Sequence, residues 1–233
     1  TLEDRATTRT IDDLVGWESA WDDGDSYTPS IGKPKLRARL VDTRVLHEGP
    51  IIGAVEQQWR LRARDEHVEV RLRFVLDAGA GFLRFGVLGD NAARDHRLRL
   101  TVRTDVSRGR TVADAAFACV ERALIRVSAR DARMERPVPT APLHRYVSLF
   151  NATRGVTLYA DGCTEYQTRD DAIHVTLVRS IGDLSRNDLP DRPGHAGWPT
   201  AIPEAQCIGL FQAEFGLSMH GPRSTGVIEE IEA

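Results

Sequence analysis

Histidines, cysteines and clustered carboxylates are the groups of this 233-residue chain whose types could hold a metal or move a proton. His47, His67, His96, His144, His174, His195 and His220 fall into no HxH or HExxH spacing, so none pairs with another as ligands on one strand or one helical turn. His67, His96 and His174 stand on the expected solvent faces of strands or at strand ends, where a histidine is ordinarily exposed or capped. His195 differs, because it lies in the irregular run Asp191-Arg192-Pro193-Gly194-His195-Ala196-Gly197, and loops are where scaffolds carry their sites. The run Asp22-Asp23-Gly24-Asp25 clusters carboxylates as a Ca²⁺ loop does, yet it lacks the other ligand positions and the closing Glu. It reads as a charged turn before the first strand.

Cys119, Cys163 and Cys207 are odd in number, far apart and without a CxxC pair. That spacing argues against a disulfide framework or a structural zinc site, and for a reducing, cytoplasmic setting. Cys207 sits in an apolar stretch and reads as a small buried hydrophobe. Ser148, in Tyr146–Phe150, has no glycine elbow around it and is a poor nucleophile; no Walker loop or GxGxxG is present. No catalytic residue and no metal site is therefore expected in this chain.

Composition excludes several partners. The formal charge is −3, so no basic surplus points to nucleic acid, although 29 of the 31 basic residues are arginine. No apolar run approaches the roughly 18–20 residues of a membrane span. The opening TLEDRATTRT is too polar for a secretory signal. Hydrophobic residues make up 41% of the chain, enough for a sizeable core.

The elements that must position these groups are strands. Val68, Val70, Leu72 and Phe74 alternate with Glu69, Arg71 and Arg73; Leu98, Leu100 and Val102 alternate with Arg97, Arg99, Thr101 and Arg103. Trp59, Leu61 and Ala63 stand opposite Gln58, Arg60 and Arg62. Period two puts the apolar side chains on one face and the guanidinium groups on the other, the pattern of an antiparallel sheet with one wet face. Further strands are expected at Leu36–Leu46, Gly155–Ala160, Ala172–Val178 and Ile208–Met219. Short helices are expected around Thr10–Ala20 and Thr111–Ala118. The expected architecture is all-β, two packed antiparallel sheets with little helix. Residues 1–20 form a lead-in with a short helix, and 21–233 form the β domain. Asp188–Gln206, rich in Pro and Gly, cannot be a central strand and is the candidate functional loop.

Several stretches resemble the C-terminal β domain of glycoside hydrolase family 38, the α-mannosidases. Trp21–Pro29 (WDDGDSYTP) is similar to a D-G-D-x-Y lead into a strand. His96–Val102 (HRLRLTV) and Phe117–Arg122 follow, the latter similar to a P-F-G-x-x-x-R element. His144–Glu165 resembles an R-x-V-D-L run ending in N-D-G-x-x-E. The most specific stretch is Val178–Gly209, VRSIGDLSRNDLPDRPGHAGWPTAIPEAQCIG, which resembles the S-R-x-D-L-x-x-R-P-G-x-A-G signature of bacterial members. Three positions depart from these patterns: Ala115-Ala116 precede Phe117, Cys119 replaces a glycine, and Ser148 stands where an acid is usual.

The resemblance implies a large two-sheet supersandwich, galactose mutarotase-like in shape. It implies a retaining hydrolase whose nucleophile and zinc belong to an N-terminal barrel, so this chain is the C-terminal portion of a larger, bacterial enzyme and inactive alone. The implied partners are that barrel and an α-mannoside or related glycan. The loop arginine that contacts substrate in the family matches Arg192, with His195 and Tyr27 beside it as further substrate-binding residues. Arg192 could instead only brace the loop by pairing with Asp188 or Asp191. The rival readings are a stand-alone sugar-binding or mutarotase-like protein, using Glu214 with His144 or His174 as base and acid, and a purely structural interdomain module.

Overall fold

The computed structural model describes residues 1–222 apart from 6, 124, 126 and 127. In chain order its strands are β1 (Leu2–Asp4), β2 (Arg9–Ile11), β3 (Val15–Asp22), β4 (Ile31–Pro34), β5 (Arg37–Glu48), β6 (Ile52–Ala63), β7 (Glu66–Asp77), β8 (Leu83–Asn91) and β9 (His96–Arg103). They continue as β10 (Arg110–Asp114), β11 (Cys119–Arg122), β12 (Ala141–Pro142), β13 (Tyr146–Phe150), β14 (Gly155–Asp161) and β15 (Glu165–Arg169). The last are β16 (Ala172–Ser180), β17 (Asp183–Ser185), β18 (Thr200–Ala201) and β19 (Gly209–His220). One α-helical turn (α1, Asp131–Met134) and one 3₁₀ turn (Pro203–Gln206) are the helical elements among the described residues.

Two sheets dominate, with every described pairing antiparallel. The larger has nine strands in the order β11-β10-β13-β14-β19-β8-β7-β6-β5; the smaller has six, β12-β15-β16-β9-β3-β4. Period two sets the packing between them. Val68, Val70 and Leu72 of β7, with Phe85 and Val87 of β8, join Leu98, Leu100 and Val102 of β9 and Ile173 and Val175 of β16 in one buried cluster. Arg71 and Arg73, one residue out of phase, are exposed on the outer face of the nine-stranded sheet. A slip of one residue would exchange the two sets, so burial of three apolar residues on β7 alone fixes its register.

Several expectations fail. Thr10–Ala20 is not a helix: β2 and β3 occupy it, and β3 crosses residues 20 and 21, the expected domain boundary. Ile11 and Leu14 have helical spacing and both are buried, but β3 is the strand that completes β9, with Val15 opposite Val102 and Trp17 opposite Leu100. Thr111–Ala118 likewise holds β10, paired on both sides with β11 and β13. Tertiary pairing overrides a weak local preference in both places.

The polar face of β9 is not wet. Arg97 and Arg99 are buried between β3 and β16. Arg99 donates to Gln167 Oε1 at 2.7 Å and pairs with Glu18, which also binds Arg169. His96 and His174, expected in solvent, are buried as well. His96 lies 3.1 Å from Asn91 Oδ1 and 3.3 Å from Ser19 Oγ. Burial, with Lys35 nearby, pushes its pKa down to about 4; burial, with Arg99 and Arg169 nearby, does the same to His174. Cys207 is exposed rather than buried, because it ends the 3₁₀ turn in the left-handed region (φ 50°), two residues before β19 begins.

Candidate functional site

The loop between β17 and β18 and the turn between β3 and β4 meet at one end of the molecule, and buried ion pairs join them. Asp25, fully buried, accepts hydrogen bonds from the backbone N–H groups of Tyr27 (3.0 Å), Thr28 (2.8 Å) and Arg186 (2.9 Å). Arg192 grips the same carboxylate from two nitrogens, Nη1 to Oδ1 at 3.2 Å and Nη2 to Oδ2 at 2.6 Å. Its remaining donors reach Thr28 Oγ1 (2.7 Å), the Arg186 carbonyl (2.9 Å) and the Gly194 carbonyl (3.4 Å). Such a planar fork on a carboxylate is a geometry that lysine cannot reproduce.

A second pair lies beside the first. Asp22 accepts from the N–H groups of Gly24 and Ser30, both at 3.0 Å, and from Arg179 Nε at 2.7 Å; Arg179 also donates to the Asp25 carbonyl at 2.7 Å. Ser30 Oγ donates to Asp191 at 3.0 Å, and Arg186 pairs with Asp188 while donating to the Asp23 carbonyl. Gly24 is obligatory here. A Cβ at that position would sit 2.3 Å from the Thr28 carbonyl oxygen and 2.6 Å from the Ser30 nitrogen.

Arg192 is therefore not the exposed loop residue the sequence suggests. It is buried, 5% exposed, and its partner is Asp25 rather than Asp188 or Asp191. The acidic run expected to be a charged turn supplies the two buried carboxylates of the knot. Above the knot the surface carries the other two candidates. Tyr27 is half exposed and lies against Gly197, while His195, exposed, makes a 3.0 Å hydrogen bond from Nδ1 to the Gly197 carbonyl. Donation from Nδ1 leaves Nε2 as an acceptor for a ligand hydroxyl. The fold thus brings Tyr27, Arg192 and His195 to one place, with Arg192 beneath and the other two on top. Trp198, next to Gly197, is 81% exposed.

Burial works against ionisation of Asp25, yet the Arg192 hydrogen bond and the three backbone donors outweigh it and bring the pKa down to about 2. A carboxylate depressed in the folded state contributes stability that is present above its unfolded pKa, near 3.8, and is lost as pH falls towards 2. The stability gap between the native chain and Asp25→Asn is accordingly constant from neutral pH to about 4 and narrows between about 4 and 2. Urea unfolding at a series of pH values measures it, and a gap independent of pH down to 2 contradicts the assignment.

The mutarotase-like constellation is not assembled. Glu214 is on β19 of the nine-stranded sheet, His174 is on β16 of the six-stranded sheet, and His144 is bound 2.8 Å from Asp114. Among the described residues no group of three or more His, Cys, Asp or Glu is arranged to hold a metal ion. The carboxylates of Asp22 and Asp25 are engaged by Arg179 and Arg192. No helix of the described residues is long and apolar enough to cross a membrane.

Two packed antiparallel sheets with a Pro/Gly loop tied down at one end define the class as an all-β sandwich domain. The family model of the glycosyl hydrolases family 38 C-terminal domain matches residues 11–188, and the chain belongs to that family. A curated protein of Halalkalibacterium halodurans, provisionally named a mannosylglycerate hydrolase, is 34% identical over 153 residues. That match takes in 66% of this chain but 16% of the relative. The crystal structure of an α-mannosidase from Enterococcus faecalis V583 superposes with a TM-score of 0.79 at 21% identity, over 99% of this chain and 28% of that one. A second Enterococcus faecalis family 38 structure gives 0.77 at 20% identity, over 99% of this chain and 29% of that one. The chain therefore spans well under a third of the length of these relatives.

Proposed function

We propose that the chain is the non-catalytic C-terminal domain of a mannosidase-type retaining glycosidase and that its Arg192 loop borders the substrate. The nucleophile and the zinc belong, on this reading, to a barrel elsewhere in the same polypeptide, and the substrate is an α-mannoside or a related glycan. The observation that carries the reading is the family match joined to the Arg192–Asp25 pair: a buried bidentate ion pair fixes an irregular loop whose outer residues, Tyr27 and His195, stay in solvent. A loop with Pro190, Pro193 and Pro199 has less conformational freedom to lose on folding, so it holds side chains in place. Arg192 then acts as a positioning residue, and Tyr27 and His195 are the groups that touch sugar hydroxyls. Exposed Val41, Val45, Trp198 and Leu210 give support, since large apolar side chains in solvent suit a surface covered by the rest of a larger protein. A soluble, cytoplasmic parent belongs to the same reading.

The test is kinetic. In the full-length enzyme, His195→Ala and Tyr27→Ala lower kcat/KM for an aryl α-mannoside by about tenfold or more, each tenfold being about 1.4 kcal/mol of transition-state binding. Thermal unfolding is unchanged, as for most exposed substitutions. Unaltered kinetics in both variants would remove the loop from the substrate site.

A further inference from the structure

One concavity of the molecule lies away from the knotted loop. It is a groove of about 1250 Å³ across the outer face of the nine-stranded sheet, running over β6, β7, β8, β19 and β14. Its size exceeds the roughly 300–1,000 Å³ of most small-molecule sites. One cross-strand row forms its floor: Glu56 is opposite Arg73, Arg73 opposite Gly86, Gly86 opposite Glu214, and Glu214 opposite Asp161. The next row places Arg71 and Leu88 beside Gln212.

Three features of this floor are costly for a sheet that only has to fold. Glu214 and Asp161 are like charges directly opposite on neighbouring strands, which destabilises the pairing. Glycine inside a strand gives up conformational entropy and marks a place where something approaches the backbone closely. At Gly86 that something is the Glu214 carboxylate, whose Oε1 lies 2.7 Å from where a Cβ would be. At Gly216 the rings of Phe82 and Tyr159 lie against the bare backbone, each 3.4 Å from the corresponding point, and Phe82 is 46% exposed. The third feature is uncommitted polarity. Among the described residues Arg84 is paired with Asp77, whereas Arg71, Arg73, Gln212 and Glu214 make no side-chain hydrogen bond or ion pair.

The geometry points to this groove as a binding site for a neutral oligosaccharide, separate from the loop that carries Tyr27 and His195. Guanidinium groups offer donors only and carboxylates acceptors only, while a hydroxyl does both. A polyhydroxylated ligand is therefore matched by a floor that offers both kinds, donors from Arg71 and Arg73 and acceptors from Glu56, Asp161 and Glu214, on strands about 4.8 Å apart. A phosphorylated or acidic ligand would call for a floor of one sign, whereas this one mixes the acids Glu56, Asp161 and Glu214 with Arg71, Arg73, Arg84 and Arg145. The exposed face of Phe82 beside Tyr159 supplies an apolar platform for the C–H face of a pyranose. The site does not depend on the substrate role of the Arg192 loop, so one can fail while the other stands.

Calorimetric titration of the 233-residue chain with α-linked mannotriose and maltotriose tests it, with a sulfated trisaccharide as the acidic comparison. A neutral trisaccharide binds with a Kd in the millimolar range or tighter. Glu214→Ala and Arg73→Ala each weaken it at least tenfold, with unfolding midpoints no lower than that of the native chain, and His195→Ala has no effect. Gly86→Ala, which forces the Glu214 carboxylate aside, weakens binding in the same direction. The proposal is overturned if no neutral trisaccharide binds, if the sulfated one binds more tightly, or if binding survives both Glu214→Ala and Arg73→Ala.

Discussion

Arg192→Met lowers the unfolding free energy of the chain by about 3–5 kcal/mol, the cost of leaving one member of a buried ion pair without the other. For a domain of this length that corresponds to a fall of about 10 °C in Tm. The effect is large because Asp25 has no solvent to turn to: its carboxylate is fully buried, and three backbone N–H groups hold it in place. Methionine keeps much of the side-chain volume but none of the five donors, so the Arg186 carbonyl loses the Arg192 donor and Thr28 Oγ1 keeps only its bond to Glu135. Adding Asp25→Asn to Arg192→Met removes the stranded charge and recovers part of the loss, a coupling that a double-mutant cycle reads directly. On the proposed reading of the loop, Arg192→Met also lowers kcat/KM in the full-length protein, through displacement of Tyr27 and His195. Thermal denaturation followed by circular dichroism measures the stability effect. A shift of less than about 1 kcal/mol, the size usual for exposed residues, would mean that the pair contributes nothing to holding the loop.

A bracing role is one of the two readings the loop's sequence allows, but the partner is Asp25 rather than Asp188 or Asp191, and the reason is physical. Asp25 and Arg192 are 167 residues apart, and no periodicity links them. A cluster of three acids around one glycine looks the same whether it is a solvated turn or a buried acceptor. The signal that separates the two is Gly24, demanded by close approach of the Thr28 carbonyl, together with the lone arginines at 179, 186 and 192. Strand alternation, by contrast, was legible wherever one face of a strand meets water. Val68, Val70 and Leu72 point into the core and Arg71 and Arg73 out of it, as period two requires. On β9 the same alternation misleads, because a central strand can bury its arginines against acids and amides of nearby strands, as Arg99 is buried against Glu18 of β3 and Gln167 of β15. The apolar spacing of Ile11, Leu14 and Val15 suits a helix equally well, and only the need of β9 for a neighbour decides between them. The groove was not legible at all. Its floor comes from five strands far apart in sequence, and it exists only through their register.

The second large effect is an absence of turnover. Retaining hydrolysis needs a nucleophilic carboxylate and an acid–base carboxyl about 5 Å apart on either side of the sugar ring, and the family's zinc needs its own ligands. Among the described residues the buried carboxylates of Asp22, Asp25 and Asp114 are bound by arginines, and no metal-holding group is formed. Glu214 and Asp161 are neighbours on the groove floor, but they lie side by side on one sheet, with no second wall to place one on each face of a ring. On the proposed reading the enzyme-level acceleration, commonly 10⁶-fold or more, is supplied by the barrel and not by this chain. The most direct measurement is the hydrolysis of 4-nitrophenyl α-mannoside by the purified 233-residue chain, with and without added Zn²⁺, beside the full-length protein at equal molarity. The account predicts turnover from the full-length protein and none above buffer from the chain under either condition. Chelator-sensitive release of nitrophenol by the chain alone would contradict it.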